Sequence, residues 1–97
     1  MSEIKAVHVL VRGHVQGVFF RATTRSIAHE MGLRGWIRNL PEGHVELVAL
    51  GPESDLRSFL HYCNEGPANA RVDSLETRWL DPEECDAPSR GFEIRHD

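Results

Sequence analysis

The feature that most constrains this chain is a change of apolar period, from two residues to 3.6, that occurs twice. In residues 4–12, IKAVHVLVR, Val7, Val9 and Val11 fall on one side of an extended chain, and their β-branched side chains favour a strand. From Arg21 to Met31 the period lengthens: Thr24, Ile27, Ala28 and Met31 form one helical stripe, and Gly32 is placed to end it. LRGWIRN (33–39) and HVELVAL (44–50) are extended again, with Val45, Leu47 and Ala49 facing one way and His44, Glu46 and Val48 the other. LPEG joins them as a hairpin. A second helix is expected with Pro52 at its first position, Leu56, Phe59, Leu60 and Cys63 on its stripe, and Gly66-Pro67 as its stop. In residues 70–80, Leu75, Thr77 and Trp79 alternate with Glu76 and Arg78, while Val72 is out of phase, which predicts a bulge or bend near Asp73. After PEECDAPSRG, Phe92 and Ile94 point inward from a last extended stretch.

The order is therefore βαββαβ, with helices apolar on one face and strands apolar mostly on one side. Such elements bury their apolar faces most economically as an α+β sandwich, the ferredoxin-like arrangement: a mostly antiparallel sheet with both helices on one face. Ninety-seven residues are expected to form a single domain, 1–97, with room for one two-layer core. Any site then lies at an edge or in a loop.

Net charge is −4, which gives the whole molecule no electrostatic case for nucleic acid. The K/R-G-F/Y-G/A-F-V-x-F/Y run of an RNA-binding module of the same topology is also missing. No stretch approaches the apolar length of a membrane span, and MSEIKAVHVL lacks the features of an export signal, so the cytoplasm is the expected compartment. A monomer is expected. Cys63 and Cys85 have no zinc spacing, and the six histidines have no metal-ligand spacing. Neither a metal nor another cofactor is expected.

The chemistry concentrates in RGHVQGVFFRATTRS, residues 12–26. Here a strand passes through a glycine-containing loop into a helix whose first N–H groups have no intrahelical partner, and such a junction attracts anions. Gly13 and Gly17 permit positive φ or close backbone approach, so successive N–H groups can turn inward as a nest. Arg21 can add a planar fork matched to phosphate oxygens, and an arginine at a helix N-terminus opposes the helix dipole unless an anion lies there. The junction therefore suits a tetrahedral oxyanion such as a phosphoryl group. GxxxxGK[ST] and GxGxxG are both absent. A phosphocysteine mechanism is excluded because Val15 occupies the place, relative to the arginine, where a nucleophilic cysteine would be needed.

Together, GHVQGVFFR (13–21) and GLRGWIRNLPEGHVE (32–46) resemble the acylphosphatase family, whose signatures run GxVQGVxFR and GxxGWxxNxxxGxVE. The resemblance implies a metal-free hydrolase that splits a small-molecule acyl phosphate into a carboxylate and inorganic phosphate. It also implies that His14, Val15, Gln16, Gly17, Val18, Phe19 and Phe20 form the phosphate-binding loop, that Arg21 binds the phosphoryl group, and that Asn39 positions the attacking water.

Plainer readings stand beside these. By propensity alone Asn39 is a turn residue opening the hairpin, and His14 is an exposed loop histidine. Val18 and Phe20 are expected to anchor the loop, and Trp36 to pack. The long loop LDPEECDAPSR (80–90) departs from the commonest family pattern and leaves open whether Asp86 or Arg90 reaches the site rim. The alternative function is a non-catalytic module binding acyl or carbamoyl phosphate.

Overall fold

The structure is a computed structural model that describes residues 3–96. Its elements run β1 (Ile4–His14), α1 (Phe20–Glu30), β2 (Arg34–Asn39), β3 (Val45–Pro52), α2 (Glu53–Glu65), β4 (Arg71–Leu80), a 3-10 turn (Pro82–Glu84) and β5 (Phe92–Arg95). The five strands lie in the order β4-β1-β3-β2-β5. All pairings are antiparallel except β2 with β5, which is parallel.

The core follows from the two periods. Val7, Val9 and Val11 of β1 and Val45, Leu47 and Ala49 of β3 are all fully buried, and they meet Phe20 and Ala28 of α1 and Leu56, Phe59 and Cys63 of α2. Both helices therefore cover the same face of the sheet. Phe92 brings β5 into this core through an edge-to-face contact with Phe59, with ring centroids 5.9 Å apart. Cys63 is deeply buried, which pushes its thiol up to about 12. Cys63 and Cys85 are both free.

Four details refine the expected pattern. Pro52 is the N-cap of α2 rather than its first residue: it still pairs with Ile4 in an extended conformation, ψ 139°, so the helix begins at Glu53. The bulge falls at the expected place, since Arg12 pairs with Ser74 but Gly13 with Val72, leaving Asp73 over. Trp79 does point to the helix side, but β4 is an edge strand, so its ring stays 38% exposed beneath the Arg57 guanidinium. Val48 is buried although it lies on the face away from the helices. It pairs with Trp36, whose indole Nε1 donates to the Asp86 carbonyl at 2.6 Å, so the long loop after β4 covers this part of the second face.

Candidate active site

The N-terminal end of α1 and the C-terminal end of β2 frame the site. β1 ends at His14, and five residues then carry the chain into α1. Val15 and Phe20 bracket this loop and are both 1% exposed, while Val18 packs partly against the same core. Buried anchors at each end fix the path of the backbone between them.

Within the loop, Gly17 has φ +75° and Phe19 has φ +63° with ψ 20°. Glycine adopts that region freely, whereas a phenylalanine there is strained by about 1–3 kcal/mol. Phe19 is the N-cap of α1, and no side chain caps the helix. The first helical hydrogen bond runs from Thr23 N–H to the Phe19 carbonyl, at 3.0 Å. Among the described residues, no backbone carbonyl accepts from an N–H between Val15 and Ala22. These amides, with the positive end of the helix dipole, are the donors an oxyanion needs. α1 has no acidic residue in its first turn to compete for them.

Arg21 lies in that first turn and is half-buried. Among the described residues it forms no ion pair or hydrogen bond, so its fork is available to an anion. A cleft of about 330 Å³ opens here, lined by Gly17, Phe19, Phe20, Arg21, Ala22, Ile94 and His96. A much smaller cavity, about 50 Å³, lies between the helices beside Thr24, Phe59 and Cys63 and presents a mainly apolar wall.

Asn39 ends β2 on the same face as Ile37, which is fully buried. Its Oδ1 is buried without a hydrogen-bond partner among the described residues. Leaving such an acceptor unpaired costs about 1–3 kcal/mol, which makes Asn39 Oδ1 a candidate acceptor for a polar group at the site. The hairpin that carries Asn39 closes through Leu40 N–H to the His44 carbonyl, 2.8 Å, and Gly43 N–H to the Leu40 carbonyl, 3.1 Å.

Gln16 joins the two halves. Its Nε2 donates to the carbonyls of Leu40 and His44, both at 2.8 Å. The side chain thus ties the loop to the hairpin rather than reaching into the cleft, a role that the motif alone does not reveal. Gly13 also serves differently from a nest residue: it lies within β1 at φ +140°, where a Cβ would collide with the Arg71 backbone. His14 ends the same strand opposite Arg71, on an open surface with Arg12 and His44. Asp86 is occupied on the helix-free face, where its carboxylate also receives Arg95 Nη1 at 3.3 Å. No group of three or more metal-ligating side chains occurs among the described residues.

Comparison with known proteins agrees with the two motifs. The acylphosphatase family model matches residues 7–94. An acylphosphatase of Haloquadratum walsbyi is 47% identical over 96 residues, covering 98% of this chain and 99% of that protein. An acylphosphatase structure from Coxiella burnetii superposes with a TM-score of 0.85 at 37% identity, covering 95% of this chain and 93% of that one. One from Bacillus subtilis gives the same TM-score at 30% identity, covering 96% and 99%.

Proposed function

This chain belongs to the acylphosphatase family and hydrolyses acyl phosphates, and we propose that it does so with the loop from Val15 to Phe20 and Arg21 holding the phosphoryl group while Asn39 holds the water. The observation that carries this reading is the pairing of free donors with a free acceptor. Loop amides and a guanidinium without partners among the described residues belong to one half, the similarly unpartnered Asn39 Oδ1 to the other, and Gln16 ties the loop to the hairpin.

An acyl phosphate leaves as a carboxylate, a weak base, so the reaction needs no strong general acid. It needs neutralised charge on the equatorial phosphoryl oxygens and a water in line with the bond that breaks. The amides and Arg21 supply the first from fixed positions, without reorganisation as charge develops. Asn39 supplies the second, because its carboxamide oxygen accepts a hydrogen bond from the water and so aims the water's lone pair at phosphorus. The water oxygen bonds to phosphorus, the P–O bond to the acyl group breaks with its electron pair on the carboxylate, and the water's proton passes to a phosphoryl oxygen. No step uses a metal.

We assign a small-molecule substrate to a monomer that binds no nucleic acid. Net charge of −4 supports the last point, as does the pairing of outer-face arginines with acids, Arg12 with Glu76, Arg38 with Glu46 and Arg95 with Asp86. No helix of the described residues is long and apolar enough to cross a membrane. Two free cysteines suit a reducing compartment such as the cytoplasm.

The test is hydrolysis of benzoyl phosphate in excess chelator, with inorganic phosphate added as inhibitor. The reading expects full activity and competitive inhibition. Activity lost to chelator and restored by magnesium would contradict it.

A further inference from the structure

Phe19 is the most exposed of the large apolar side chains among the described residues, at 80%, against 53% for Ile4, 50% for Tyr62 and 38% for Trp79. It is also the one non-glycine residue at positive φ among the described residues. The two facts make each other harder to explain on structural grounds. A left-handed position in a tight loop favours glycine or asparagine, so the backbone gains nothing from a phenylalanine there. The core gains nothing either, because Val18 and Phe20 on each side turn inward and the ring of Phe19 turns out.

The ring does border the cleft that contains Gly17 and Arg21. With a phosphoryl group on the loop amides and Arg21, the remaining walls include the apolar surfaces of Phe19, Ala22 and Ile94, with His96 beside them. The substrate's other half, its acyl group, must extend from the phosphoryl group past these walls. In the motif GxVQGVxFR, Phe19 occupies an open position, so the motif itself does not require this side chain.

We propose that Phe19, with Ala22 and Ile94, forms an acyl-group subsite that selects aromatic and bulky apolar acyl phosphates over acetyl phosphate. This rests on the assignment of the phosphoryl group to the loop and Arg21. A left-handed backbone at Phe19 points the ring outward beside the phosphate while its own N–H stays with the cradle, so one residue serves both ends of the substrate. An aromatic acyl group packs against the ring, whereas an acetyl group leaves it in water.

The test compares kcat/KM for benzoyl and acetyl phosphate in the native protein, Phe19→Gly, Phe19→Asn and Phe19→Tyr, together with inhibition by inorganic phosphate. Glycine and asparagine both accommodate the left-handed backbone without the ring, and tyrosine keeps the ring. Taking the ratio of the two substrates cancels their different intrinsic reactivity when variants are compared. The proposal expects the benzoyl-to-acetyl ratio to fall about tenfold in Phe19→Gly and Phe19→Asn, to stay near native in Phe19→Tyr, and phosphate inhibition to change little throughout. Inorganic phosphate has no acyl group and reports the cradle alone, so failure of the cradle assignment is seen separately from failure of the subsite. A native ratio in both ring-less variants overturns the proposal. A ratio that falls only in step with lost phosphate inhibition also overturns it, because Phe19 would then be shaping the cradle rather than reading the acyl group.

Discussion

The side-chain amide of Gln16 donates to the carbonyl of Leu40 at 2.8 Å, one residue beyond Asn39. A second bond of the same length reaches the His44 carbonyl across the hairpin. One side chain therefore sets the distance between the loop that offers donors and the strand end that offers an acceptor. In-line attack depends on that distance.

Gln16→Leu should loosen both partners. Each carbonyl keeps its backbone donor within the hairpin but loses its side-chain donor, which should cost about 0.5–1.5 kcal/mol of stability per bond and lower the melting temperature. Turnover should fall further than phosphate affinity, because the loop amides remain while Asn39 loses its fixed relation to them. Thermal melting and steady-state kinetics check this together, and native values of both would show that the bridge is dispensable.

Arg21→Ala should weaken substrate and inorganic phosphate alike, since on the proposed assignment the guanidinium meets an anion present in the ground state and the transition state. Arg21→Lys should not restore binding, because a compact ammonium lacks the planar fork. Competitive inhibition by phosphate is the direct measurement. An Arg21→Ala protein inhibited by phosphate as the native protein is would remove Arg21 from the site.

How far the sequence reveals this arrangement depends on the range of each interaction. Val7, Val9 and Val11, and the stripes ending in Cys63 and Met31, are legible because strand and helix periods are local properties of the chain. The bulge at Asp73 is legible for the same reason, as a slip in alternation beside Val72. Pro52 is misplaced by one position because its strand pairing to Ile4 outcompetes helix entry, and that pairing spans the chain. Gln16 lies in a recognisable motif, yet its partners are 24 and 28 residues away, so nothing local shows which way its amide turns. The cover over Trp36 is hidden similarly: only the folded loop brings the Asp86 carbonyl to the indole.

The helix-free face carries a pH-dependent contribution. Burial desolvates the Glu46 carboxyl and raises its pKa, but hydrogen bonds from His8 at 2.8 Å and Arg38 at 2.7 Å outweigh this and hold it below its ordinary value of 4.5. A carboxylate depressed in the folded state adds stability above its unfolded pKa and loses it as pH falls through the folded one. Glu46→Gln should therefore lower the melting temperature at pH 7, and the gap from the native protein should close as pH falls below 4.5. A gap that stays constant down to pH 3 would mean that the charge on Glu46 contributes nothing.

Asn39→Ala tests the central claim most directly, measured as turnover and phosphate inhibition in one folded preparation. On the proposed assignment Asn39 acts on the attacking water, so removing its amide takes away an interaction made mainly in the transition state. Turnover should fall about 10²-fold, by comparison with the loss of one placed hydrogen-bonding group elsewhere. Inhibition by inorganic phosphate should stay near native, because the loop amides and Arg21 are untouched. Circular dichroism and a thermal melt on the same sample establish that the hairpin from Leu40 to His44 has survived. A folded Asn39→Ala protein that hydrolyses benzoyl phosphate at the native rate would contradict the account, and one that loses phosphate affinity in step with turnover would place Asn39 on the phosphate instead of the water.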